Sequence, residues 1–216
     1  MDELFTAIKQ RDQTKVERIL AEHPDAARAV DANGVSPLLT AAYRGNAAAV
    51  TALRATGVEL TVFEAAAVGD LGRVRALVES DPALANAFAV DGFHPLGLAA
   101  FFGHPDVVRY LIDAGADLDA PSRNAMKVTA LHSAIAARDR ESTLALIAAG
   151  ADVNAKQADD FTPLHEAAQN GDRDILEALL AAGADPDVRL ASGETPADLA
   201  RTHKHPELVP VLEQAG

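Results

Sequence analysis

The chain has 216 residues, with 19 lysines and arginines against 32 aspartates and glutamates, a formal charge of −13. A deficit of that size argues against a phosphate backbone or an anionic membrane surface as partner, because both require a basic face. The absence of cysteine removes disulfides, thiolate metal sites and a cysteine nucleophile. At 49% apolar and 24% charged, the composition is that of a folded, soluble domain.

The opening Met1-Asp2-Glu3-Leu4-Phe5 is acidic and lacks the basic and apolar regions of a secretion signal. No apolar run reaches the length of about 18 residues that a spanning helix needs. The expectation is a cytoplasmic protein without a membrane segment. Aromatic residues make up only 4% and tryptophan is absent, while alanine is abundant. Alanine is the best helix former and small enough to let helices approach closely, which predicts thin, stacked helices.

Taken in chain order, the sequence repeats itself. A weak first copy, Glu3-Leu4-Phe5-Thr6-Ala7-Ile8, precedes a plain one, Ser36-Pro37-Leu38-Leu39-Thr40-Ala41-Ala42-Tyr43-Arg44-Gly45. Thr61-Val62-Phe63-Glu64-Ala65-Ala66 is again weak, and His94-Pro95-Leu96 through Ala99-Ala100 to Gly103 is again plain. Further copies begin at Thr129-Ala130-Leu131-His132, Thr162-Pro163-Leu164-His165 and Thr195-Pro196-Ala197-Asp198. Starts at 94, 129, 162 and 195 lie 35, 33 and 33 residues apart, a period that marks stacked supersecondary units.

Each copy has a mechanical reading. Thr or Ser caps a helix N-terminus, and Pro occupies the first helical position, where no amide donor is needed. Leu anchors the helix, the Ala-Ala pair admits a close neighbour, and Gly103 or Gly171 ends it in a left-handed turn. A second helix follows, with Val107, Val108, Leu111 and Ile112, or Ile175, Leu176, Leu179 and Leu180, at helical spacing. It stops at Gly115-Ala116-Asp117, Gly150-Ala151-Asp152 or Gly183-Ala184-Asp185.

The Thr-Pro-Leu-His, the Ala-Ala, the helix-ending glycine and the Gly-Ala-Asp-x-Asn of Gly150 to Asn154 resemble ankyrin repeats over essentially the whole chain. The single-domain layout resembles short bacterial members of that family. The resemblance implies an all-α solenoid of antiparallel helix pairs with short β-hairpin fingers. Seven units are expected, near 1–30, 31–57, 58–88, 89–121, 122–155, 156–188 and 189–216. Such units fold through contacts with their neighbours. The resemblance also implies that His132 and His165 hydrogen-bond within and between adjacent turns.

Several places depart from the pattern. Gly57-Val58-Glu59 leads almost directly to Thr61, so one finger is expected to be missing between units two and three. A shift of 58 residues matches Phe5 with Phe63, Pro24 with Pro82, Gly34 with Gly92, Pro37 with Pro95 and Gly45 with Gly103. Units one and two thus look like a duplicate of units three and four. Lys127 and Asp160 stand at finger glycines, and Arg138 and Lys204 at helix-ending ones. A left-handed non-glycine residue costs roughly 1 kcal/mol, which predicts altered turns there. Pro210 is expected to shorten or bend a terminal helix over 207–214.

No constellation for catalysis stands out. Gly69-Asp70-Leu71-Gly72 lacks the context of a dinucleotide loop, and no Walker lysine follows a glycine run. His203 and His205 are two apart, on different helical faces, with Lys204 between them. Asp117-Leu118-Asp119 and Asp185-Pro186-Asp187 lack the order of a calcium loop and read as turn residues. No cofactor and no metal are expected, and the chain is read as not an enzyme.

The resemblance places a binding face on the finger residues before each cap and the two residues after each Ala-Ala. The candidates are Tyr43, Arg44, Phe93, Phe101, Phe102, Met126, Phe161, Gln169 and Asn170. Five of the nine aromatic residues fall at these nominally exposed places. Aromatic side chains on a groove are typical interface anchors, and methionine adds adaptable contact. The alternative is that Phe93 and Phe161 fold back on their fingers and Phe101 or Phe102 packs on the adjoining unit. The expectation is a monomeric protein-binding scaffold, its partner a protein with a basic surface. An enzyme or metal-dependent protein on the same scaffold, or a nucleic-acid binder, are the alternatives.

Overall fold

A computed structural model describes residues 2–216. Fourteen α-helices follow one another in antiparallel pairs, and no strand occurs among the described residues. The first four are α1 (Asp2–Gln10), α2 (Gln13–Glu22), α3 (Pro37–Tyr43) and α4 (Ala47–Ala55). Next come α5 (Val62–Ala67), α6 (Leu71–Ser80), α7 (Pro95–Phe101) and α8 (Pro105–Asp113). The array continues with α9 (Ala130–Ala136), α10 (Arg140–Ala148), α11 (Pro163–Asn170) and α12 (Arg173–Ala181). It ends with α13 (Pro196–Thr202) and α14 (Val209–Ala215). Odd-numbered helices form an inner row and even-numbered helices an outer row, each packed on the next pair.

Local chemistry starts each inner helix. Ser36 Oγ accepts from Leu39 N (3.2 Å), and Thr61 and Thr195 form reciprocal caps with Glu64 and Asp198. Outer helices start on Asp12, Asn46, Asp70, Asp139 and Asp172, whose side chains accept the amide three residues on. The inner helices are buried nearly all round. Leu38, Leu96, Leu131 and Leu164 are at most 1% exposed, so the Leu of each copy is the core anchor.

The 58-residue duplication is reproduced in the structure. Helices α3 and α4 recur as α7 and α8, α2 recurs as α6, and the 3-10 turn Pro24–Arg28 recurs as Pro82–Asn86, each displaced by 58 positions. Fingers are tight turns rather than strand ladders. Asp31 N donates to Val35 O (2.9 Å), Ala89 N to Phe93 O (2.8 Å) and Gln157 N to Phe161 O (2.9 Å). The finger closed by Ser122 N and Val128 O is two residues wider, which accounts for the longer spacing before Thr129.

Neighbouring fingers bond directly: Arg123 N to Gly92 O (2.7 Å), Ala158 N to Met126 O (3.0 Å) and Ala191 N to Asp159 O (3.1 Å). Gly92, at φ 86°, lies so near Arg123 that an added Cβ would come within 2.7 Å of its carbonyl carbon. Between α4 and α5 the chain runs from Gly57 to Thr61 with no finger turn, and α4 and α6 have few close backbone approaches. Side chains span that junction instead. Arg54 pairs with Asp70 (2.8 Å), and the Tyr43 hydroxyl donates to Asp91 (2.8 Å).

One expectation is corrected and a second is narrowed. Lys127, Arg138, Asp160 and Lys204 keep left-handed turns, at φ 53°, 56°, 60° and 68°, as do Arg11 and Asp159. Packing of the flanking helices fixes these turns and overrides the local preference. Pro210 shortens the last helix, which begins at Val209, and does not bend it. It lies in the first turn of α14, where its missing amide is not needed, and a 3-10 turn at Pro206–Leu208 precedes it.

Among the described residues the Lys204 side chain makes no hydrogen bond that would offset its strain at φ 68°, so Lys204→Gly is expected to stabilise the fold by about 1 kcal/mol. Gly92→Ala is expected to destabilise it by more than about 2 kcal/mol, since both φ and the Arg123 backbone oppose a side chain. Urea midpoints of the two variants beside the wild type check both signs.

Candidate functional site

Histidines tie the concave side together. His132 Nδ1 lies 2.9 Å from Thr129 Oγ1, and its Nε2 lies 3.2 Å from Phe161 O of the next finger. His165 repeats this with Thr162 Oγ1 (2.9 Å) and Glu194 O (3.4 Å). His94 takes the cap position itself, accepting from Gly97 N (3.1 Å) on Nδ1 and meeting Ala120 O (3.0 Å) through Nε2. Each arrangement suits a neutral ring that accepts at Nδ1 and donates from Nε2. Burial pushes the His132 pKa down to about 4 and lowers those of His94 and His165. With both nitrogens occupied, none of the three rings is free to act as a general base.

Above this row lies a cavity of about 460 Å³. The C-terminal end of α3 brings Tyr43, the finger before α7 brings Phe93, and the end of α7 brings Phe101. Met126 and Val128 come from the next finger. Leu98, His132 and Ala136 complete the apolar and inner-helix wall, and Ser133, Gln157 and Glu166 supply polar groups toward α11.

The aromatic residues meet because the finger between the second and third pairs is missing. Tyr43 lies 5.5 Å from Phe102, 6.4 Å from Phe93 and 6.5 Å from Phe101, ring centre to ring centre. Phe101 and Phe102 contact edge-on at 5.1 Å. Tyr43, Phe93 and Phe102 are half-buried, while Phe101 is 46% and Met126 49% exposed. Burial, the hydrogen bond to Asp91 and the Asp91 charge push the Tyr43 phenol far above its ordinary pKa, so it remains a donor.

Of the sequence candidates, the cavity gathers Tyr43, Phe93, Phe101 and Met126. Arg44 and Gln169 are exposed outside its lining, and Phe102 supports Tyr43 from behind. Phe161 packs 5.5 Å from the His165 ring. Asn170 is committed to structure: it donates to Ile135 O (3.2 Å) and accepts from Arg138 (3.3 Å).

Sequence reasoning missed Glu166, Ser133 and Gln157. Glu166 follows His165 on a helix whose neighbouring residues are buried, and that placement was the available signal. Burial alone pushes its carboxyl up to about 7. Among the described residues no cluster of three or more His, Asp or Glu could hold a metal, and no helix is long and apolar enough to cross a membrane.

A row of short helix pairs with bonded fingers and a lined concave groove defines a helical-repeat protein. Two family models describing ankyrin repeats match it, one over residues 62–157 and one over 146–200. The chain belongs to the ankyrin-repeat family, whose repeats are a protein–protein interaction module. It is 38% identical over 96 residues to probable E3 ubiquitin-protein ligase XBOS31 of Oryza sativa subsp. japonica, covering 44% of this chain and 21% of that protein. It is 36% identical over 120 residues to alpha-latrocrustotoxin-Lt1a of Latrodectus tredecimguttatus, covering 52% and 8%. It is 34% identical over 115 residues to human DNA-binding protein RFXANK, covering 53% and 38%. The chain thus spans well under half the length of these curated relatives.

Two opposite pH dependences follow. Glu166 has a folded pKa raised from 4.5 to about 7, so its contribution to stability is full below pH 4.5 and lost as pH rises through 7. Glu166→Gln is therefore expected to gain roughly 3 kcal/mol over wild type between pH 4.5 and 8. His132 has a folded pKa lowered from 6.5 to about 4, so its contribution is full above pH 6.5 and lost as pH falls through 4. Replacing it with Gln should flatten the acid limb of the stability curve, a change on the order of 3 kcal/mol. Urea titrations from pH 4 to 8 check both.

Proposed function

We propose that this chain is a non-enzymatic scaffold that binds a protein partner on its concave face. The array divides, in this reading, into the seven units given by the sequence period. One observation carries the proposal: exposed Phe101 and Met126 sit at the mouth of an apolar cavity backed by Tyr43 and Phe93. Adaptable apolar contacts over a rigid aromatic floor are the composition of an interface hot spot.

The aligned relatives support the repeat module, because the match covers only 21, 8 and 38% of their lengths. The net charge of −13 favours a partner with a basic surface, chiefly by speeding encounter.

Phe101→Ser with Met126→Ser removes the exposed anchors and leaves the Tyr43–Phe93–Phe102 packing in place. Pull-down from native lysate with mass spectrometry, on variants whose helix content matches wild type, tests the reading. The expected result is a protein retained by wild type and lost from the double variant. Equal capture by both would move the binding face away from this groove.

A further inference from the structure

Glu166 breaks a local rule. It stands on the inner face of α11, where its neighbours Leu164, His165 and Ala167 are at most 1% exposed. Among the described residues its carboxylate has no hydrogen bond and no ion pair, although every other histidine, threonine or carboxylate of the inner-helix caps from Thr61 onward has a partner. An unpaired, half-buried carboxylate is costly, and an aliphatic residue there would pack without that cost. Ser133, 4% exposed, lines the same cavity, and among the described residues its hydroxyl likewise has no partner. Gln157 lines it too, and among the described residues its side-chain amide has no hydrogen bond. The groove therefore has an apolar end, at Tyr43, Phe93, Phe101 and Met126, and an acidic, hydrogen-bonding end across α9 and α11.

We propose that this groove takes an extended segment of another protein that carries one bulky apolar side chain and, within a few residues, a lysine or arginine. The apolar side chain seats against Phe101 and Met126, and the cation pairs with Glu166 while Ser133 and Gln157 bond the segment beside it. The proposal rests on the concave face being the binding face and adds the chemistry of what it binds.

The charges already present leave this position open. His132 on α9 is held neutral by burial, Lys156 on the adjoining finger pairs with Asp160 (3.3 Å), and Arg138 turns to Asn170. On α13, Asp198 is engaged by Thr195 and Arg201. Burial is the one cause that raises Glu166, with no charged neighbour contributing. A bound cation supplies the missing partner and draws the carboxyl into its ionised form. Binding then expels a proton and tightens as pH rises through neutrality.

A displayed library of linear random peptides, selected in parallel on wild type, Glu166→Gln and Phe101→Ser, supplies the probe. Wild type is expected to enrich peptides with an aromatic or aliphatic residue and a nearby Lys or Arg. A synthetic copy of one such peptide should bind Glu166→Gln about tenfold more weakly by calorimetry, and lose about tenfold when its cation is replaced by norleucine. Its affinity for wild type should rise from pH 6 to 8 and stay flat for Glu166→Gln. Peptides that need Phe101, lack a cation and bind Glu166→Gln equally well would overturn this proposal and leave the groove reading standing. No peptide on wild type, or peptides indifferent to Phe101→Ser, would remove the groove reading itself. Self-association lost in Phe101→Ser would seat a second copy of the chain there and overturn the proposal as well.

Discussion

The closeness of the inner helices is the constraint on which everything else depends. Ala41, Ala65, Ala99, Ala134, Ala167 and Ala200 have no exposed surface, and each stands where one inner helix faces the next. Among the described residues no helix exceeds ten residues, a length at which an isolated helix is marginal in water. Stability comes from stacking: each pair buries its Leu and Ala face only when a neighbour covers it. A larger side chain at any of these alanines would separate two pairs and strain the finger bonds above them.

Close stacking also brings the fingers within bonding reach, and the histidines exploit it. His94, His132 and His165 each start or cap an inner helix with one nitrogen and reach forward with the other to Ala120, Phe161 and Glu194. The same side chain thus fixes a helix terminus and its distance from the next unit. Outer helices are joined by exposed ion pairs, Arg54 with Asp70, Arg109 with Glu141 and Arg140 with Asp174, which individually contribute little. The concave side is the one cross-bonded by buried side chains.

The one irregular junction creates the groove's apolar end. Without a finger between the second and third pairs, Tyr43 on α3 reaches past the short α5 to Asp91 and to the three phenylalanines of the fourth unit. The cluster substitutes for the missing backbone bonds and leaves Phe101 facing outward at its edge. Tyr43 therefore both holds the junction and floors the cavity.

The repeat period, the caps, the core leucines and the 58-residue duplication were legible in the sequence, because each is a local or periodic requirement of helix geometry. So was the aromatic set, since residues after Ala-Ala recur at one place in every unit. Left-handed Arg138 and Lys204 were not legible: local preference disfavours them, and only the packing of the helices on either side holds them there. Tertiary structure alone separated Phe101, exposed, from Phe93 and Phe102, which lie in the same pattern but meet Tyr43 across the missing finger. It alone placed Glu166 in the cavity, because a position on an inner helix lines a cavity only when the fingers of two neighbouring units, distant in sequence, enclose the space above it.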